Sequence, residues 1–164
     1  MEIVEVFQKR RSIRKFKTTP ISDQDIEEIL RAASLAPTAR NIQPWEFLVI
    51  KDKNTISEMA RLATPNGSFI SGAPVCIAIF CQDTKYYLED GCAATTQALL
   101  AAASLGLGAC WVAGDKKDYG SKIQNLLGVP AGYKLISLIP LGFADEAPLP
   151  QKRNIKEMIH REKF

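Results

Sequence analysis

The sequence predicts an α+β fold class, a three-layer arrangement in which a mixed β-sheet carries helices on its faces. Segments typical of helices and of strands alternate along the 164 residues. The strand segment at residues 73–81 is almost wholly apolar and should lie in the middle of the sheet. Residues 88–108 are small or apolar nearly all round, which is typical of a helix buried on most of its faces. The length suits one core, so residues 1–164 are predicted to form one domain.

In the first half of the chain, periodicity and capping residues predict each element. Residues 2–10 place apolar side chains three and four apart, as in a short amphipathic helix. A second helix begins at Ser22, a good N-cap, is favoured by Asp25 at its third position, and ends at Pro37. Its expected buried stripe is Ile26, Ile29, Leu30, Ala33 and Leu35. A strand at 45–52, a helix at 54–63 and a turn at 64–68 follow.

The second half continues the alternation. The expected elements are a strand at 73–81, a helix at 88–108, a strand at 109–114, a helix at 119–130 closed by Gly128 and Pro130, a strand at 133–143, an extended segment at 144–153 and a last helix at 154–163. In so small a domain, the apolar helix at 88–108 suggests burial against another subunit.

Composition indicates an ordinary folded protein, with 46% hydrophobic and 24% charged residues. No apolar run approaches the roughly 18 to 20 residues that cross a bilayer. The N-terminus carries acids and lacks the apolar core of a signal peptide. We therefore expect a cytoplasmic protein.

Several catalytic and metal-binding classes lack their motifs. The four cysteines form no CxxC pair and His160 is the one histidine, so we expect buried reduced thiols and no metal site. The sequence "GLGACW" has Trp111 at the third glycine position and precedes a predicted strand, which rules out a dinucleotide fingerprint. There is no Walker A or GxSxG sequence, and a Ser–His or Cys–His hydrolase is not supported.

The segment "KRRSIRKFK", residues 9–17, concentrates positive charge. Six of its nine residues are Lys or Arg, whereas the whole chain has a net charge of only +3, so the remainder is net acidic. If the segment is extended, Ile13 and Phe16 should anchor it among the cations. Arginine suits phosphate, and a compact cluster suits a small anion. Composition alone also allows a solvated basic loop, and a nucleic-acid-binding domain is a third possibility.

A second candidate segment, "APTARNIQPWEF" at residues 36–47, joins the second helix to the first strand. Thr38, Asn41 and Gln43 are neutral groups that donate and accept hydrogen bonds. Such groups could contact a heterocycle edge or a polyol. A loop that only satisfies its own backbone would use the same residues.

Together, and in this order, these motifs resemble the nitroreductase family of FMN-dependent oxidoreductases. The resemblance rests on "RRSIRKF" at residues 10–16 and "PTARNIQPWEF" at 37–47. It extends to "APV" at 73–75, to the small-residue helix with its "GLG", and to Pro150 with Arg153. It covers nearly the whole chain.

The resemblance implies a mixed, mainly antiparallel sheet flanked by helices, in a homodimer that holds FMN between its chains. It also assigns site residues: Arg10, Arg11 and Ser12 to the phosphate and ribityl end; Arg14 to the pyrimidine edge; Pro37, Thr38, Ala39 and Asn41, with Gln43 in the same loop, to the flavin of the partner; the backbone of Val112, Ala113 and Gly114 to the ring; Arg153 to the phosphate; and Asn66 or Ser68 to the pyrimidine edge.

The implied activity is hydride transfer from NAD(P)H through FMN to an electron-poor acceptor such as a nitroaromatic or quinone, by a ping-pong mechanism. Arg14 would tune the flavin, and no catalytic protein nucleophile is needed. The alternatives are dehalogenation, dehydrogenation or flavin fragmentation on the same fold, or a non-catalytic flavin-binding redox module. Two features depart from the family: Ala113 replaces a frequently polar or acidic residue, and residues 56–73 leave little room for a roof over the site.

Overall fold

The structure is a computed structural model that describes residues 2–164. Its centre is a five-stranded sheet in the order β1–β2–β5–β3, with β4 also paired to β5. All pairings between these strands are antiparallel. The strands are β1 (Trp45–Ile50), β2 (Val75–Gln82), β3 (Gly108–Ala109), β4 (Val112–Ala113) and β5 (Tyr133–Gly142). An isolated parallel bridge between Ser12 and Ala109 makes the sheet mixed, as expected.

The two apolar strands lie side by side in the middle of the sheet. β2 and β5 pair from Val75 opposite Leu141 to Gln82 opposite Tyr133. Every residue of β2 except Gln82 is buried, because helices cover both faces. The central position predicted for residues 73–81 is therefore confirmed.

Helices lie on both faces, which gives three layers. The helices are α1 (Ile3–Lys9), α2 (Asp23–Ser34), α3 (Lys53–Leu62), α4 (Tyr87–Ser104) and α5 (Gly120–Leu126). On one face α2 and α4 pack over Ile77 and Ile79. On the other, α3 and α5 pack over Ala78 and Phe80. Alternate side chains of β2 thus enter different cores, as the strand period of two requires. The predicted fold class is confirmed.

The strand predicted at 109–114 is divided in two. β3 and β4 keep one register against β5, and the N–H of Cys110 still donates to the carbonyl of Pro140 at 3.4 Å. Pro140 has no N–H to return the second bond of that pair, so the ladder is interrupted there.

Two other expectations were wrong. Residues 154–163 form only a 3₁₀ turn at Ile155–Glu157, and all of residues 151–164 are exposed. A short helix without a packing surface is marginal in water, and nothing among residues 2–164 buries the segment. Leu35 is 74% exposed because α2 ends at Ser34 and Leu35 falls outside its buried stripe.

Helix α4 is buried mainly by its own chain. Ala98 and Ala102 are 1% and 0% exposed and lie in the core beneath α2 and the sheet. The opposite side of the helix, including Ala93, Leu100 and Ala103, is half-buried. Among the described residues, no helix combines the length and apolarity needed to span a membrane.

Candidate functional site: two clefts beside a basic strand

The basic segment is extended and attached to the edge of the sheet. Ser12 bridges Ala109, and the N–H of Ile13 donates to the Ala109 carbonyl at 3.0 Å. Ile13 is buried and Phe16 half-buried, so both predicted anchors are confirmed. A Cβ on Gly108 would lie 2.9 Å from the Ile13 side chain, so only glycine admits this close approach.

The carboxylate of Glu146, in the segment that follows β5, also binds the backbone of the basic segment. Glu146 Oε1 accepts the main-chain N–H of Arg14 at 2.5 Å and that of Lys15 at 3.2 Å. The N–H of Lys17 donates to the carbonyl of Phe143. The arginine side chains therefore project from a backbone that is fixed on both sides.

Arg10 and Arg11 line a cleft of about 430 Å³. Its other walls come from the end of α4 and from Pro148 and Leu149 near the C-terminus. The Arg11 Nη1 donates to the Arg10 carbonyl at 2.7 Å. Its Nε is buried and has no hydrogen-bond partner within residues 2–164. An unpartnered guanidinium N–H beside a second arginine is a donor set that fits a bound anion.

Arg14 lines a second cleft, of about 680 Å³. Asn66 and the aromatic residues Phe69, Trp111 and Tyr119 also line it, together with Val112 and Ala113 of β4. The Arg14 guanidinium carbon lies 5.6 Å from the centroid of the Phe69 ring, close enough for a cation–π contact. This cleft combines flat apolar walls with a cation and an amide, which suits a planar heterocycle.

The backbone of 112–114 is held tightly against β5. The Gly114 N–H donates to the Ile136 carbonyl at 2.9 Å, and the Tyr119 hydroxyl donates to the Ala113 carbonyl. A Cβ on Gly114 would lie 2.4 Å from Leu135. Glycine is therefore required by packing at this point, and the Gly114 N–H is already occupied.

Two titratable groups in this cleft remain neutral. Burial raises the pKa of the Cys110 thiol, an effect that the nearby Arg14 and Ser12 side chains only partly offset. Burial likewise raises the pKa of the Tyr119 hydroxyl. Neither group is activated as a nucleophile, which agrees with a site whose chemistry belongs to a cofactor.

The loop of residues 37–43 lies elsewhere, at the N-terminal end of α4. The Thr38 hydroxyl donates to Asp90 Oδ2 at 2.8 Å, and the Ala39 N–H donates to Asp90 Oδ1 at 3.0 Å. The Gln43 N–H donates to the Thr38 hydroxyl at 3.1 Å. Arg40, Asn41 and Gln43 all have positive φ, from 52° to 56°.

The predicted site residues thus fall into separate groups. One group lies in or beside the two clefts: Arg10, Arg11, Ser12, Arg14, Asn66, Val112, Ala113 and Gly114. The loop residues Pro37, Thr38, Ala39, Asn41 and Gln43 line neither cleft. Arg153 is exposed and also lines neither, and Ser68 is outside the second cleft. One chain alone does not bring the whole predicted set together.

Several residues of the site were not predicted from the sequence. Asp90 and Glu146 act through hydrogen bonds to distant backbone, and no local pattern marks such contacts. Phe69, from the turn between α3 and β2, and Trp111, just before β4, are brought to one cleft only by the tertiary fold. Across residues 2–164, no group of three His, Cys, Asp or Glu side chains could hold a metal ion.

Comparison with known proteins identifies the family of this chain. The nitroreductase family model matches residues 7–66 and 61–143. A protein of Archaeoglobus fulgidus, provisionally named an NADH dehydrogenase/NAD(P)H nitroreductase, is 36% identical over 99% of both chains. Iodotyrosine deiodinase 1 of Rattus norvegicus is 28% identical over 87% of this chain and 62% of its own.

Solved structures support the same family assignment. The FMN-dependent nitroreductase from Clostridium difficile R20291 superposes with a TM-score of 0.91 at 29% identity, covering 98% of this chain and 99% of that one. The predicted fold and enzyme class are therefore confirmed, and the predicted cofactors agree with the names of these relatives. The chain belongs to the nitroreductase family of oxidoreductases.

Proposed function

We propose that this protein is an FMN-dependent oxidoreductase that transfers hydride from NAD(P)H to an electron-poor acceptor, such as a nitroaromatic or a quinone. One observation carries the proposal. A single edge segment presents Arg10 and Arg11 to one cleft and Arg14 to the next. FMN has an anionic phosphate at one end and a flat heterocycle at the other, which matches the two clefts.

The residues present fit this cofactor. Arg10 and Arg11, with the unpartnered Arg11 Nε, would hold the phosphate through charge-assisted bonds. Arg14 would lie at the pyrimidine edge beside Asn66, where a cation favours the reduced cofactor because reduction adds negative charge near N1 and the C2 carbonyl. When bound, FMN supplies the two-electron hydride carrier that the side chains lack. Arg153 would reach the phosphate from the C-terminal segment.

Donor and acceptor would bind in turn, in a ping-pong scheme. The aromatic lining of the second cleft supports stacking of a nicotinamide or an electron-poor ring. Cys110 and Tyr119 contribute no ionised group there, since burial raises the pKa of both. The protein would orient the partners and exclude water rather than form a covalent bond to the substrate.

We further propose a homodimer in which the loop of residues 37–43 completes the site of the partner. Three observations support it. The loop lines neither cleft of its own chain. Helix α1 exposes Ile3, Val4 and Phe7 at 57% to 60%. Leu149, beside the first cleft, is 86% exposed. A second copy would cover these side chains, and in a two-fold contact both copies use the same surface, so each loop meets the site of the other chain.

Reductive dehalogenation is a second candidate, because iodotyrosine deiodinase 1 of Rattus norvegicus is a relative at 28% identity. NAD(P)H would supply two electrons, a C–H bond would replace the carbon–halogen bond, and halide would leave. The likeness of the two chains supports this candidate, and aromatic side chains such as those of the second cleft can stack on a halophenol as on a nitroaromatic.

The purified protein tests the proposal directly. We expect a yellow protein whose absorption bands are those of a flavin and which releases FMN on denaturation. Steady-state NAD(P)H oxidation with menadione, a nitrofuran and an iodophenol as acceptors then separates the two reactions. A colourless protein that does not take up added FMN would overturn the cofactor assignment. Flavin without turnover on any acceptor would favour a binding module.

A further inference from the structure

We propose that Asp90 is a positioning residue for the flavin site: its carboxylate holds the 37–43 loop in the shape that this loop presents to the FMN of the other subunit. This inference rests on the proposed function, since it assigns a residue to the same site. Asp90 itself lines neither of the two clefts. It acts on the cofactor only through the loop.

The carboxylate is buried and both of its oxygens are engaged. Asp90 is 5% exposed, although it belongs to the first turn of α4 at the surface of the fold. One oxygen accepts from the Thr38 hydroxyl and the other from the Ala39 N–H, at 2.8 and 3.0 Å. A buried carboxylate with two donors from one loop binds that loop firmly, and the N-terminus of an 18-residue helix favours negative charge there.

The hydrogen bond between Asp90 and Thr38 also helps to order the far end of the loop, through Gln43. The Thr38 hydroxyl donates its proton to the Asp90 carboxylate. Its lone pairs then face away, and one of them accepts the Gln43 N–H at 3.1 Å. The Gln43 side chain in turn donates to Asn41 Oδ1 at 3.0 Å. Asp90 thereby orders residues at both ends of the loop.

The loop needs such support because its backbone is strained. Arg40, Asn41 and Gln43 each have φ between 52° and 56°, a region that side-chain-bearing residues avoid. Strained conformations persist only where surrounding contacts over-determine them. Within residues 2–164, the two bonds to Asp90 are the side-chain hydrogen bonds that join this loop to a regular helix. Without them the loop should relax away from the conformation seen here.

The first test measures FMN affinity and loop order in the full-length Asp90→Ala variant. We expect FMN to bind at least about tenfold more weakly, since two hydrogen bonds to a charged group are lost. In the FMN-free protein, hydrogen exchange at residues 38–43 should accelerate while β2 and β5 keep their protection. Glu89→Ala is the matched control, because Glu89 is an exposed acid in the same first turn. It should change neither quantity.

A mixed dimer tests whether the effect crosses the subunit boundary. Asp90→Ala chains are paired with Arg10→Ala chains through different affinity tags. If the loop serves the other subunit, one of the two sites combines an intact Arg10 with an intact loop, and half of the sites should bind FMN with wild-type affinity. If the loop serves its own chain, each site carries one defect and no tight site forms.

The outcomes separate the two proposals. A wild-type protein that binds no FMN overturns the proposed function itself. A wild-type protein that binds FMN, with an Asp90→Ala variant of unchanged affinity and unchanged exchange at residues 38–43, overturns the role of Asp90 alone. If Asp90→Ala does not fold, Thr38→Val removes the hydrogen bond between Thr38 and Asp90 while the buried carboxylate of Asp90 stays in place. Unchanged exchange and affinity in that variant would also overturn the inference.

Discussion

Glu146 accepts the main-chain N–H of Arg14 at 2.5 Å, across a sequence separation of 132 residues. The same oxygen also accepts the N–H of Lys15. A residue four positions beyond the end of the last strand therefore sets the position of the arginine that enters the second cleft. This contact joins the two ends of the chain at the candidate site.

Replacing Glu146 with alanine should lower both stability and FMN affinity. Two backbone N–H groups would lose a charged acceptor, at a cost of about 1.5 to 3 kcal/mol in the free energy of unfolding. Urea unfolding and FMN titration measure the two effects. Asp145→Ala is the control, because that exposed neighbour contributes only its main-chain N–H, to the carbonyl of Lys15. Equal behaviour of the two variants would argue against a role for the Glu146 carboxylate.

Arg10→Ala should retain the fold and bind FMN more weakly. Arg10 is half-buried in the first cleft, and loss of one charge-assisted contact to phosphate costs roughly tenfold to a hundredfold in affinity. The same loss is expected for Arg153→Ala if the C-terminal segment reaches the phosphate. Lys17→Ala removes an exposed charge from the same basic segment and serves as the control. Full FMN occupancy in Arg10→Ala would remove this arginine from the site.

Arg14→Gln should lower the midpoint potential of bound FMN while the cofactor still binds. The guanidinium that lies 5.6 Å from the Phe69 ring would no longer offset the negative charge gained on reduction. A spectroelectrochemical titration gives the potential, and Arg31→Gln on the exposed face of α2 controls for a general loss of charge. A potential that rises or stays constant would place Arg14 away from the pyrimidine edge.

A negative charge introduced on the outer side of α4 should weaken the dimer, whereas one introduced on its core side should unfold the protein. Leu100 is half-buried on the side turned away from the core, and Leu100→Glu should weaken a dimer and release FMN with it. Ala98 is 1% exposed within the chain's own core, and Ala98→Glu should unfold the protein, because an unpaired carboxylate would be buried. Light scattering and circular dichroism distinguish the cases. A folded monomeric Leu100→Glu protein with full FMN content would dissociate assembly from cofactor binding.

Stability should decrease above about pH 9. Burial raises the pKa of the Cys76 thiol from 9.0 to about 12. The unfolded chain loses this proton near its ordinary pKa, whereas the folded chain keeps it, so the contribution is full below pH 9 and declines as the pH rises toward 12. The decline is at most about 1.4 kcal/mol per pH unit for one thiol. Urea unfolding over this range should show a shallower decline in Cys76→Ala, and parallel curves would contradict the assignment.

Elements with strong local signals were predicted correctly. Ser22 caps α2 by accepting the N–H of Asp25, and the apolar run of β2 lies in the middle of the sheet. These signals act within a few residues, through caps, periodicity and burial. The prediction at 109–114 was less accurate because the interruption depends on Pro140, which lies on a different strand. The predicted last helix lacked the packing surface that a short helix needs.

The sequence by itself determined the family, the alternation of helices and strands, and the arginine-rich segment with its anchors Ile13 and Phe16. These depend on residue type and short spacing, which are properties of a linear chain. Only the tertiary structure decided that Arg10 and Arg14 enter different clefts, that Glu146 holds Arg14, and that Asp90 holds the loop beginning at Thr38. Such contacts join residues tens to more than a hundred positions apart, and they exist only once the sheet and its helices have packed.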